Sequence, residues 1–229
     1  MFKKAFLVIA ALALASTTAI AAGVGPNGAT VSKDKRFTTV HQGSFHYTPS
    51  SKPPKKLKVI FDNIGFLYPK GRYFCCFGDT ISGPNSQVGS TNWAATQFTP
   101  AKSGKIELIN VAVGWVSGTN KIIINIAADD GGVPGTVLGT ASATGLGVFG
   151  DCCDLAESNV SIDVTAGTPY WIYLSTDESN ADTWAAWPFN STDEVDPMTV
   201  AGYNGSSWTN FGSSTPALSF ALYGKLKNN

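Results

Sequence analysis

The chain has 229 residues, of which 43% are hydrophobic and only 14% charged. That composition excludes an intrinsically disordered protein, and the length allows one domain with a substantial core. Lys plus Arg and Asp plus Glu number 16 each, so the chain is formally neutral, but the two signs are unevenly distributed along it.

Residues 1–21 read MFKKAFLVIAALALASTTAIA. Lys3 and Lys4 are followed by an apolar run from Ala5 to Ala15 and then by Ala19-Ile20-Ala21. A positive start, a short apolar stretch and a small-x-small cleavage signal make a secretory signal peptide, cut after Ala21. The apolar run is too short to cross a bilayer, which needs about 20 residues. No later run is long and apolar enough to span one, and the closing GKLKNN shows no anchor, so the expectation is a secreted or cell-surface, extracellular protein.

From Ala22 to Lys121 there are twelve Lys and Arg against four acids, a net of +8; from Ile122 to Gly224 there are twelve acids and no Lys or Arg, a net of −12. The basic charge is densest in VSKDKR and SKPPKKLK, either side of HQGSFHYTPS. These segments have few periodic apolar residues, so 22–56 is read as an irregular basic arm, a solvated linker or a tether to an anionic surface. Lys225 and Lys227 return a little positive charge at the end. The lysines come with no recognition helix or ribonucleoprotein motif, and no nucleic-acid partner is expected.

Residues 57–229 read as strands. KLKVIF, KIELINVAVGWV, NKIIINIA, NVSIDV, PYWIYLS and ALSFALYG are short runs rich in β-branched and aromatic residues, most of them bounded by Gly, Asn, Asp, Ser or Pro. Val160, Ile162 and Val164 alternate with Ser161 and Asp163, and Leu218, Phe220 and Leu222 with Ser219 and Ala221, the period of a half-buried strand. In the longest run Ile106 and Leu108 fall on one face and Val111, Val113 and Trp115 on the other, which calls for a bulge or for burial on both sides. ADDGGVPG, 128–135, is a turn joining Ile122–Ala127 to the strand near Val137. Many short strands and Gly-rich turns predict an all-β fold, a two-layer antiparallel β-sandwich of jelly-roll type.

The four cysteines come as two adjacent pairs, Cys75-Cys76 in FCCFGDT and Cys152-Cys153 in FGDCCDL. In an oxidising compartment thiols tend to pair. Disulfides between the doublets, a strained ring within each, and a four-thiolate metal site are the three readings. Adjacent residues on a strand point to opposite faces, which works against convergence on one ion. A Cys75–Cys152 bond would close a loop to which chain entropy assigns roughly 4.5 kcal/mol.

The ordered series FDNIG, ISGPNSQVGSTNWAATQFTP, IELINVAVGW, INIAADDGGVPGTVLGT, DVTAGTPYWIYLS, TWAAW and YNGSSWT resembles the bacterial choice-of-anchor R domain over about residues 57–224. GGVPG and AGTPYW are its more specific elements. The resemblance implies an exported β-rich domain of the kind joined to varied surface-sorting tails, and it carries over no catalytic residues. A recognisable sorting tail is missing, and the cysteine doublets are not a feature of the family pattern.

Enzyme signatures are sparse. No G-x-S-x-G elbow or H-E-x-x-H helix occurs, and the only histidines, His41 and His46, fall in the expected arm. Twelve acids between 129 and 196 leave a carbohydrate-active hydrolase as a minor reading, because two facing carboxylates suffice for glycoside hydrolysis. A binding surface is the stronger expectation. Trp184 and Trp187 in DTWAAWPFN, with Trp208 and Asn204 in YNGSSWT, offer the flat rings and polar neighbours that sugars use, against the alternative of core packing expected for Trp115 and Trp171. Asp129 and Asp130 offer a start toward a structural calcium site, with Asp151 and Asp154 as further oxygens, against a hairpin turn in which Asp bonds its own backbone. Sequons at Asn159, Asn190 and Asn204 are expected to stay bare in a bacterial host. Together these readings predict a non-catalytic surface or extracellular-matrix domain that binds a glycan or another surface component. The alternative is a building block self-associating through its basic arm and acidic domain.

Overall fold

The computed structural model describes residues 24–40, 56–64, 73–151, 155–190, 198–213 and 217–227, with backbone alone for 73–75. The first strands in chain order are β1 (Ala29–Val31), β2 (Phe37–Val40), β3 (Lys58–Asp62), β4 (Tyr73–Ser82), β5 (Trp93–Phe98), β6 (Gly104–Val111), β7 (Gly114–Ser117) and β8 (Lys121–Asp129). They are followed by β9 (Pro134–Thr144), β10 (Ala156–Val164), β11 (Tyr170–Ser175), β12 (Trp184–Asn190), β13 (Val200–Tyr203), β14 (Trp208–Gly212) and β15 (Phe220–Leu226). Among the described residues the only helical turn is a 3₁₀ turn, Glu178–Asn180, capped by Asp177.

The strands form three antiparallel sheets, ordered β1-β2-β4-β12-β7, β10-β6-β15-β3 and β14-β13-β5-β11-β8-β9. The first two are stitched together where the Asn190 N–H donates to the Ala217 carbonyl at 2.7 Å and the Ser219 N–H to Pro188 at 3.0 Å. All three contribute to one core. Ile81 and Trp187 come from the five-stranded sheet, Ile106, Ile162 and Phe220 from the four-stranded sheet, and Phe98, Ile124 and Ile172 from the six-stranded sheet. The expected all-β sandwich is the fold.

The longest apolar run is two strands. Pairing with β15 matches Ile106 to Gly224 and Leu108 to Tyr223, so β6 carries one extra residue there, Glu107. The slip sends Ile106 into the main core and Leu108 into a separate cluster with Ile64, Ala221 and Tyr223. The expectation that Ile106 and Leu108 share a face is therefore corrected by the bulge. The chain then leaves the four-stranded sheet at Val111, and Gly114–Ser117 joins the five-stranded one as β7. Gly224 lies opposite the bulge because a Cβ there would stand 1.8 Å from the Lys105 carbonyl oxygen.

The expected arm is also corrected in part. β1 and β2 form a hairpin, and Phe37 and Thr39 of β2 pair with Asp79 and Phe77 of β4. Ala29, Val31 and Val40 are buried in a second core with Val116, Phe149 and Trp184. The Trp184 indole N–H donates to Thr38 Oγ1 at 3.0 Å, and Thr38 and Thr80 share a hydroxyl hydrogen bond of 2.9 Å. The strands are three and four residues long, too short to show a period, and the lysines beside them dominate the composition. Residues 41–55, with both histidines, and the leader at 1–21 lie outside the described residues.

So do Cys152, Cys153 and the side chain of Cys75. Cys76 is half-buried and packs against the second core, which includes Phe149, three residues before Cys152 in the chain. Replacing Thr38 by Val keeps the shape but strands the Trp184 N–H, and is expected to lower stability by about 1–3 kcal/mol in urea unfolding. An unchanged midpoint would mean that the hairpin is not part of the cooperative unit.

Candidate functional site

Side chains alternate across a strand, so β5 sends Ala94 and Phe98 into the core and Trp93, Ala95 and Gln97 to the opposite face of the six-stranded sheet. Its neighbours do the same. Tyr203 of β13 lies opposite both Trp93 and Trp208, and Tyr173 of β11 opposite Ala95. The four large rings gather over small residues: Ala95, Ala127 and Ala201, with fully buried Trp171, form the floor. Trp93 and Tyr203 stack at 4.4 Å between centroids, and Trp208 meets Tyr203 at 5.4 Å and, edge on, Tyr173 at 5.2 Å. Trp93, Tyr173, Tyr203 and Trp208 all remain partly open to solvent. Burial pushes the Tyr173 phenol above its ordinary range.

The floor is anchored by Asp129. Its Oδ1 accepts from Trp171 Nε1 at 2.7 Å and from Gln97 Nε2 at 2.8 Å, and its Oδ2 from the Gly132 N–H at 3.3 Å. The residues of the calcium expectation lie in this turn. The Asp129 carboxylate is committed to two side-chain donors and one backbone donor, and Asp130 sits in a tight hairpin whose N–H bonds Val133 at 2.9 Å. Gly131 and Gly132 supply the positive φ the turn needs. Among the described residues no three His, Cys, Asp or Glu side chains gather as a metal set, and Asp154 lies outside them.

At the same end of the sheet a cleft of about 260 Å³ lies between the five- and six-stranded sheets. Trp93, Tyr203 and Asn204 line one side and Thr209 and Phe211 of β14 another. Asp34 and Arg36, just before β2, and Asp79 of β4 complete it. Among the described residues of the lining, Arg36 carries the positive charge. Its guanidinium lies 3.6 Å from the Phe211 ring centroid and 4.6 Å from that of Phe37, and its Nε is 3.5 Å from Asp79 Oδ1. Asp79 is only 3% exposed. Burial pushes its carboxyl up to about 7; the charge and hydrogen bonding of Arg36 pull it down, and Asp34 adds to the rise.

Of the tryptophans expected to meet a ligand, Trp208 is in the ring cluster. Trp184 and Trp187 are not available: both are 0% exposed. They sit in β12, a central strand covered on both faces, so their indoles pack rather than present a surface. Asn204 lines the cleft, but its Oδ1 accepts from the backbone of Ser206 and Ser207 at 3.0 and 3.1 Å, holding the β13–β14 turn. Trp93, Tyr173, Tyr203, Arg36 and Asp79 escaped the sequence reading. The period-2 pattern of WAATQF and YWIYLS carried the signal, since it places Trp93 with Ala95 and Trp171 with Tyr173 on one face. A scan of protein-family models finds no match to the chain, and a search of curated proteins finds none either.

Asp79 makes stability depend on pH. An unfolded Asp loses its proton near pH 3.9, whereas folded Asp79 keeps it to about 7, so the folded state binds the extra proton between these values. Stability therefore falls as pH rises through that window and levels off above it. Asp79→Asn is expected to remove about 2–3 kcal/mol of the fall between pH 5 and pH 8, read as the difference between wild-type and variant urea midpoints.

Proposed function

We propose that the chain is an exported, non-catalytic β-sandwich that binds a glycan in the cleft and over the adjoining rings. One observation carries this reading: the partly open rings of Trp93 and Tyr203, with Trp208 packed beside Tyr203, adjoin a cleft whose other walls bear carboxylate, guanidinium, amide and hydroxyl groups. Sugars present apolar C–H faces for stacking and hydroxyls for hydrogen bonding, and this combination serves both. The leader at 1–21 and the likeness to choice-of-anchor R domains support a cell-surface or extracellular-matrix setting.

Trp93→Ala and Trp208→Ala are each expected to weaken binding to a glycan retained on an array by about tenfold, or 1.4 kcal/mol. Trp187→Phe, in the core, serves as the control that should bind as wild type does. Retention of no glycan, or full affinity in both alanine variants, would remove this reading. The competing reading is a self-assembling building block, favoured by Val137 and Leu138, 44% and 43% exposed on the outermost strand β9. It requires oligomers in sedimentation that dissolve on Val137→Lys, whereas glycan binding does not.

Export also brings the cysteine doublets into an oxidising compartment. The packing of Cys76 in the same small core as Phe149 supports a bond between the doublets. Non-reducing peptide mapping is expected to find Cys75 or Cys76 joined to Cys152 or Cys153. Four alkylatable thiols in material from the native host would count against both the bond and the compartment.

A further inference from the structure

We infer that the cleft takes a neutral sugar rather than an acidic one, and that Asp34 selects it, its carboxylate accepting from the sugar's hydroxyls. This inference rests on the glycan-binding reading and narrows it to a ligand class.

The turn between β1 and β2 fixes Asp34 in place. In SKDKR the Lys35 N–H donates to the Ser32 carbonyl and the Ser32 N–H to the Phe37 carbonyl, both at 2.8 Å, and Lys35 takes the left-handed φ of 61° that closes the turn. Asp34 Oδ1 accepts from the Ser32 hydroxyl and from the Arg36 N–H at 3.2 Å, so the carboxylate is held to its own turn. Among the described residues no donor reaches Oδ2. The side chain is exposed and belongs to the lining of the cleft.

The other polar side chains of the lining are half committed. Asn92 Nδ2 donates to Ser82 Oγ at 2.9 Å and Ser90 Oγ at 2.8 Å, which leaves Oδ1 as an acceptor. Asn204 Oδ1 is taken by the backbone of Ser206 and Ser207, which leaves Nδ2 as a donor. The Thr209 hydroxyl is exposed, has no partner among the described residues, and both donates and accepts. Acceptors therefore outnumber donors among these open groups, and the charge they carry is the negative one of Asp34.

Arg36 does not reverse this. Its guanidinium lies 3.6 Å from the Phe211 centroid and 4.6 Å from that of Phe37, its Nε faces Asp79 at 3.5 Å, and it makes a further interaction besides, so its charge is already engaged. Lys33 and Lys35 flank Asp34 in the chain but are not in the lining. A sugar hydroxyl donates as well as accepts and so suits an acceptor-rich wall, and its bond to a carboxylate is of the stronger, charge-assisted kind. A sugar carboxylate only accepts. Set against Asp34 it would give up water without gaining a donor, and the like charges would repel. Trp93 and Tyr203, in the same lining, offer their rings to the apolar face of the sugar.

The test is retention of the full chain on immobilised hexamers of glucose, mannose, galactose and xylose, beside a hexamer of galacturonate. Wild type is expected to be held by a neutral hexamer and not by galacturonate, equally at low and high salt. Asp34→Asn keeps Oδ1 for the turn and makes the open oxygen a donor; it should bind the neutral hexamer at least tenfold more weakly, with an unchanged urea midpoint. Thr209→Val, which removes an exposed hydroxyl, should weaken binding by a smaller factor. Preferred retention on galacturonate, or full affinity in Asp34→Asn, would overturn this inference and leave the glycan reading standing. So would a loss in Asp34→Asn that follows a fallen midpoint while Thr209→Val binds as wild type does. Retention on no hexamer of either kind would overturn the glycan reading beneath it.

Discussion

Strand β12 has to be satisfied on both faces, and the rest of the sandwich is arranged around that requirement. In WAAWPFN every residue is buried. Trp184 and Trp187 are three positions apart and so point to opposite sides: Trp184 into the small core with the N-terminal hairpin, Trp187 into the main core with Phe220. Each indole N–H needs an acceptor once it leaves water. Trp184 finds Thr38, and Trp187 finds the Ser219 carbonyl at 2.9 Å. One strand thus ties residue 38 near the start of the described chain to residue 219 near its end. Gly78 allows the neighbouring strand to approach, because a Cβ there would lie 2.4 Å from the Trp187 carbonyl oxygen.

Much of this was legible. The β-branched runs gave the strands, their alternation gave the buried faces of β10, and GGVPG marked the β8–β9 hairpin as a turn. What misled the reading was context at the level of single residues. Trp184 and Trp187 look alike to a composition argument whether they lie in a central strand or on a rim, since strand order is a property of long-range pairing. The β1–β2 hairpin was hidden because its strands are brief and flanked by charge. The bulge at Glu107 was foreseeable as a break in period, but which residues it sent where depended on the partner strand.

The site illustrates the same limit. Ring positions on β5, β11 and β13 follow from alternation, and with the correct neighbours Trp93, Tyr173, Tyr203 and Trp208 would have been assembled from sequence alone. The polar half of the cleft would not. Arg36 and Asp79 are 43 residues apart, and their meeting depends on the register of β2 against β4. Burial then turns an ordinary carboxylate into a group that titrates near neutrality, a property no local motif announces.

The cleft also joins distant parts of the chain: Asp34 and Arg36 meet Gly202, Tyr203, Thr209 and Phe211 across it. A polypeptide emerging from its N-terminus presents the first wall long before the last one exists, and pairings of such separation form late. The cleft is therefore a property of the finished molecule. Nascent or C-terminally clipped chains hold the residues of the first wall but not those of the last, so the cleft exists only once both ends of the sandwich have been brought together.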